Sequence, residues 1–142
     1  MKIRISLIGM SAIALESHLP ALWDRRHIEI AALRDQRINS ATKVASDFGV
    51  KKVHGDLKEM LLNERLDAPR TCTSAASHTS LSVQAIEAGC HVLIEKPIVS
   101  SIATSISLDR HNAIGNRKQS HVCCMEIYVD PRTLQDRERL VP

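Results

Sequence analysis

The residues best suited to chemistry in this chain are Glu95 and Lys96, an acid and a base placed side by side and followed by Pro97. A lysine at the carboxyl end of a strand can bind a substrate oxygen, or move a proton while a hydride passes to a nicotinamide. Glu95 could hold the lysine's ammonium in place, although spacing alone is equally served by an ordinary exposed ion pair. A second candidate is the turn Gly9-x-Ser11-x-x-Ala14. A dinucleotide fingerprint uses a first glycine for the tight turn, a second for close approach of the pyrophosphate, and a glycine or alanine for helix–strand packing. The first and third positions fit, while Ser11 puts a side chain where the second needs none. Backbone N–H groups at a helix start still favour an anion there, and a plain βα turn explains the pattern as well. The third candidate is Asp35, 26 residues beyond Gly9, which can accept hydrogen bonds from the ribose hydroxyls of an adenosine. Arg34 and Arg37 flank it and would accommodate a 2′-phosphate. The alternative is a solvated loop acid.

The elements that must position these residues follow from pattern. Lys2 to Ile8 reads as a first strand, and Gly9 to Ala14 turns into a helix with Ile13, Leu15, Leu19 and Leu22 inward, broken in two by Pro20. Ile28 to Leu33 is a second strand with Arg34 and Asp35 at its end. Asn39 or Ser40 caps a helix whose apolar positions Ala41, Val44, Ala45 and Phe48 share one face, and Gly49 ends it. Lys52 to His54 is a short strand, and Asp56 to Glu59 forms a capping box for the next helix. A fourth strand is due over Asp67 to Thr73, but Pro69 and Arg70 speak against a central one. Thr79 caps a helix that Gly89 closes, and His91 to Ile94 is a buried strand ending at Glu95. Ser100 or Ser101 opens a further helix, Ser120 to Tyr128 is strand-like, and Asp130-Pro131 starts a short terminal helix. Strict alternation of strands and helices predicts an α/β fold, a doubly wound parallel sheet with helices on both faces in three layers.

Composition narrows the function classes. The 142 residues suffice for one domain, with 44% hydrophobic and 25% charged residues. Trp23, Phe48 and Tyr128 are the only aromatics, too few for the stacking platforms of single-strand nucleic-acid binders. A net charge of +3 with scattered Lys and Arg likewise argues against nucleic-acid binding. Cys72, Cys90, Cys123 and Cys124 form no CxxC pair, so neither a metal clamp nor a disulfide framework is expected. Reduced thiols in a cytoplasmic protein are the expectation. No run approaches a membrane span, and no signal-peptide cleavage pattern follows the apolar stretch from Ile5 to Leu15.

Residues 87–98, Glu-Ala-Gly-Cys-His-Val-Leu-Ile-Glu-Lys-Pro-Ile, resemble the signature of the Gfo/Idh/MocA oxidoreductases, the group of glucose–fructose oxidoreductase and inositol dehydrogenase. Ile8-Gly9 through Ala14, His18-Leu19-Pro20, Ala32 to Asp35, Ala45 to Gly49, Leu66 to Ala68 and His78 match in order and spacing. The resemblance implies a Rossmann domain that binds NAD or NADP, with Asp35 favouring NAD, and that oxidises or reduces a sugar, cyclitol or related small alcohol. It implies that Gly9, Ser11, Ile13 and Ala14 line the phosphate turn and that Asp35 meets the adenosine ribose. Thr73, Ser74 and His78 would lie near the middle of the cofactor. Glu95, Lys96 and Pro97 would stand by the nicotinamide and substrate, with Lys96 catalytic.

The chain departs from the family pattern at Ser11, Ser74, Pro69-Arg70, Cys123-Cys124 and Ile127. The family's second, α+β domain, which supplies much of the substrate pocket, the homo-oligomer interface and an Asp-x-x-x-His pair, has no counterpart in these residues. The chain therefore reads as the NAD(P)-binding domain over 1–142, with about 120–142 leading toward that second domain, and full turnover is not expected of it alone. The rival reading is a degenerate, non-catalytic Rossmann module for nucleotide binding or protein interaction.

Overall fold

A computed structural model describes residues 2–98 and the backbone of residues 122–124. Six parallel strands form one sheet: β1 (Ile3–Ile8), β2 (Ile28–Arg34), β3 (Val53–His54), β4 (Ala68–Thr71), β5 (Val92–Ile94) and β6 (Val122–Cys124). Their order is β3-β2-β1-β4-β5-β6. The chain starts in the middle of the sheet, builds toward one edge, and returns to the other side of β1. This is the doubly wound Rossmann order, whose ligand crevice lies where the direction of building reverses, between β1 and β4.

The helices pack on both faces because successive strand residues point to opposite sides. Leu7 and Leu33 enter a cluster with Met10, Leu19, Ala41 and Val44, under α1 (Leu19–Trp23) and α2 (Ile38–Phe48). Ile8 and Ala32 enter another with Leu57, Met60 and Leu81, under α3 (Leu57–Asn63) and α4 (Ala75–Glu87). Fully burying a leucine or isoleucine stabilises by about 1.5–3 kcal/mol, so these aliphatic clusters supply the core that so few aromatics could not.

Several local expectations are corrected. Pro69 and Arg70 do lie in a central strand, since β4 pairs with β1 on one side and β5 on the other. Cys72 N–H bonds Ile8 O and Thr71 O accepts from Glu95 N–H, so alternate residues face opposite neighbours and Pro69 faces β5. The β4–β5 ladder begins only at Arg70–Leu93, so the proline's missing donor falls beyond it. Arg70 is nevertheless buried, at 6% exposure. Pro20 does not break its helix. Ala14–His18 forms a π-helical turn in which Leu19 N–H reaches Ala14 O, and α1 continues from it. The wider turn arises where Pro20 offers no N–H.

Helix starts also differ. α2 begins at Ile38 with Arg37 as its cap, ahead of Asn39 and Ser40, because Asp35 Oδ1 accepts the Arg37 N–H at 2.8 Å and sets the chain into the helix from there. α4 begins at Ala75 after Ser74, which leaves Thr79 buried inside it. Asp56 does cap α3, accepting Glu59 N–H at 2.9 Å, and Gly49 closes α2 with φ +67°. The expected helix after Ser100, the remainder of the last strand-like stretch and the terminal helix lie outside the described residues.

Candidate active site

Three segments converge at the carboxyl end of the sheet, where β1, β2 and β4 release the chain. Gly9 leaves β1 with φ +93°, and its N–H bonds Arg34 O at 2.8 Å. A Cβ there would lie 2.6 Å from Thr73 Cγ2 and 3.1 Å from the Cys72 carbonyl. The glycine is thus required twice, by its left-handed backbone and by the close approach of the β4 exit. Asp35 follows β2. Its Oδ2 accepts Met10 N–H at 2.7 Å and its Oδ1 accepts Arg37 N–H, so the acid pins the turn after β1 to the start of α2. A carboxylate has about four acceptor positions, which leaves capacity for two hydroxyl donors.

A cleft of about 520 Å³ lies among these segments, lined by Gly9, Asp35, Arg37, Thr73, Ser74 and Ser77 with their neighbours. The Arg37 side chain is 77% exposed, with its Nε 3.8 Å from Asp35 Oδ1. On the opposite wall Ser77 Oγ donates to Thr73 Oγ1 at 2.8 Å, fixing the loop that enters α4. The wall is rich in hydroxyls and backbone polar groups and carries one acid. Such a surface suits a polar ligand with hydroxyl donors at one end.

Of the sequence candidates, the cleft gathers Gly9, Asp35, Thr73 and Ser74. Ser11 is half-buried, and its Oγ has no hydrogen-bond partner among the described residues. Ile13 packs on the core, and Ala14 is fully buried at the start of the π turn, so both support the turn from behind. His78 is fully buried on α4. Lys96 and Pro97 are exposed past β5, joined by a cis peptide bond.

Glu95 behaves differently from expectation. It is buried at 6% exposure, and neither oxygen is given to the Lys96 ammonium. Oε2 accepts the Lys96 backbone N–H at 3.2 Å, while Oε1 meets His18 Nε2 at 2.5 Å without the alignment of a hydrogen bond. Arg70 is a buried cation nearby, and its charge acts on both His18 and Cys72. Burial pushes the His18 ring below its ordinary value of 6.5, and Arg70 pushes it the same way, against an opposing pull from Glu95. Burial likewise drives the Cys72 thiol up to about 12, which makes it an inert wall. His18 and Arg70 are the residues that spacing did not mark as part of the site. His18-Leu19-Pro20 carried a signal only through resemblance, and Arg70 looked like an obstacle to a strand.

No helix among the described residues is long and apolar enough to cross a membrane, and no group of three or more metal-ligating side chains occurs among them.

Comparison with known proteins agrees with this architecture. Among solved structures, a 3-ketoreductase from Actinomadura kijaniata, in complex with TDP-benzene and NADP, superposes with a TM-score of 0.82 at 26% identity, covering 99% of this chain and 43% of that one. The WlbA dehydrogenase from Bordetella pertussis, in complex with NADH and UDP-GlcNAcA, shares the fold at a TM-score of 0.83 and 20% identity, over 98% of this chain and 41% of that one. Among curated proteins, D-glucoside 3-dehydrogenase of Escherichia coli is 33% identical over 95 residues, 67% of this chain and 27% of its own length. The 4-carboxy-2-hydroxymuconate-6-semialdehyde dehydrogenase of Sphingobium is 30% identical over 122 residues, 86% of this chain and 37% of its own length. The chain therefore spans well under half the length of these relatives. Residues 3–123 match the family described as "Oxidoreductase family, NAD-binding Rossmann fold", and the chain belongs to that family, the Gfo/Idh/MocA oxidoreductases.

Proposed function

We propose that these residues form the dinucleotide-binding domain of an NAD(P)-dependent oxidoreductase acting on a sugar, cyclitol or related small alcohol. The observation that carries the reading is the cleft at the β1–β4 reversal, with Gly9 at its floor and the Asp35 carboxylate on its wall. The cleft fits the adenosine end of a dinucleotide: Asp35 would take the ribose hydroxyls on its remaining lone pairs, and exposed Arg37 stands where a 2′-phosphate would need a cation. Asp35 favours NAD over NADP in this arrangement. Thr73 and Ser74 would face the middle of the cofactor, and the turn from Gly9 to Ala14 its phosphates.

A bound nicotinamide would accept or donate the hydride. Lys96 would bind the substrate oxygen beside it and hold or release the accompanying proton at Nζ. Glu95 would not shuttle that proton. It would hold the Lys96 backbone through Oε2, which fixes where the side chain starts. Residues 1–142 would act together with a second α+β domain, toward which the stretch from about 120 leads, and that domain would close the substrate pocket. Relatives named for sugar substrates, such as D-glucoside 3-dehydrogenase, support this substrate class.

Calorimetric titration of the chain with NAD⁺, NADH, NADP⁺ and NADPH tests the reading. At least one should bind, and Asp35→Ala should weaken that binding about tenfold or more, the equivalent of ~1.4 kcal/mol. No binding of any of the four at millimolar concentration would refute it.

A further inference from the structure

Arg34 and Arg37 stand on either side of Asp35 and both line the cleft, but the fold holds them differently. The Arg37 side chain reaches into solvent. Arg34 is the last residue of β2, buried at 8% exposure, and its Nε donates to Gly55 O at 3.1 Å. A hydrogen bond at Nε lies in the plane of the guanidinium, so it tethers the group and leaves both faces open. The terminal nitrogens have no partner among the described residues. Side chains alternate along a strand, which sets Arg34 on the same side of the sheet as Ala32. Ala32 shares a cluster with Leu81 of α4, and Leu81 is the one large apolar side chain on the cleft wall among the described residues. Ser77 and Ser80 add hydroxyls along the same helix.

A purine has two flat, weakly polar faces and a polar rim. Its faces are commonly received by an aromatic side chain, and none lines this cleft among the described residues. Trp23 and Phe48 pack edge to face on each other, with their centroids 6.2 Å apart. A guanidinium plane is the other side-chain surface on which bases stack. We propose that Arg34 is the shelf for the cofactor's adenine: its guanidinium, tethered to Gly55 O, stacks on one face of the base, and Leu81 supplies apolar wall beside it. The inference rests on the dinucleotide reading of the cleft given above. It takes Arg34 out of the pair that would meet a 2′-phosphate and leaves that part to Arg37. Arg34 is already buried and tethered, so stacking on it costs little side-chain ordering, whereas exposed Arg37 would first have to be immobilised.

The test uses the full chain with whichever of the four nicotinamide dinucleotides binds it. In the ¹³C-arginine-labelled chain, with Arg34 assigned by its disappearance in Arg34→Lys, the adenine ring protons of the bound cofactor should show NOEs to the Arg34 Cδ protons. A bound cofactor whose adenine shows none would overturn the shelf and leave the dinucleotide reading standing. Affinity supplies a second arm. Arg34→Met should weaken binding about tenfold, and Arg34→Lys, which keeps the charge without the plane, should recover little of that loss. A lysine variant that binds as tightly as the unmodified chain would overturn the shelf, because charge alone would then account for what Arg34 does. If none of the four dinucleotides binds the unmodified chain, the dinucleotide reading and the shelf fall together. If the variants fail to fold, assignment of Arg34 through its own backbone in the unmodified chain keeps the NOE measurement decisive.

Discussion

Asp35 and Glu95 are both acids at the carboxyl end of the same sheet, and they are put to opposite uses. Asp35 follows β2 at the cleft wall, with each oxygen bonded to one backbone N–H and capacity left toward the cleft. Glu95 follows β5 and is turned inward, against His18 and near Arg70, with only a backbone N–H on its outer side. Both are nearly buried, so exposure does not separate them. What separates them is what lies on the inner side: a helix start at Asp35, two basic side chains at Glu95. An acid at a strand end presents itself to a ligand when backbone alone satisfies it, and becomes structural when a buried basic side chain claims it.

The contrast breaks most visibly at Glu95. Removing the carboxylate by Glu95→Leu leaves the buried His18 ring without its partner, and orphaning a buried polar group in this way costs up to about 3 kcal/mol. Urea unfolding should show a large midpoint shift with unchanged slope. A shift no larger than that of a surface substitution would mean that Glu95 does not hold His18. At the other region, Gly9→Ala forces a left-handed residue to carry a Cβ into Thr73 and Cys72. The strain should cost about 1–3 kcal/mol and move Thr73 off the cleft wall, so cofactor affinity should fall more steeply than stability. Equal losses in both would show that the turn serves folding alone.

The smallest effect sharpens the Glu95 side by pH. His18 has its folded value lowered, so the unfolded chain takes up the proton first. Its contribution to stability is complete above the ordinary value of 6.5 and declines as pH falls below it, toward and through the lowered folded value. The difference in unfolding free energy between the chain and His18→Gln should narrow as pH falls across that window. A difference that is flat with pH would remove desolvation of His18 as the cause.

Much of this was legible in the sequence, and the failures have a common source. Strand–helix alternation, the Asp56 cap and the Gly49 stop depend on neighbours in the chain, and each appears where its pattern sets it. The pairing of Gly9 with Asp35 was readable because the fingerprint has a fixed spacing. Arg70, His18 and Pro20 were misread or passed over because their partners are remote. Arg70 stands in β4 beside Leu93 of β5, far away in sequence, and His18 gains meaning only from the Glu95 carboxylate. The inward turn of Glu95 could not be read from Glu95-Lys96, where adjacency suggests a mutual pair and burial decides otherwise.

The sheet begins in its own centre, and that has a consequence for how the chain emerges during synthesis. When β2 and β3 have paired, β1 still presents its second edge, from Ile5 to Ile8, until β4 is made and joins it. That open edge holds apolar, β-branched residues, the kind that recruit a foreign strand. The nascent half-sheet is therefore vulnerable for as long as α3 takes to pass, and the same reversal that creates the ligand cleft sets the moment of greatest exposure to misassembly.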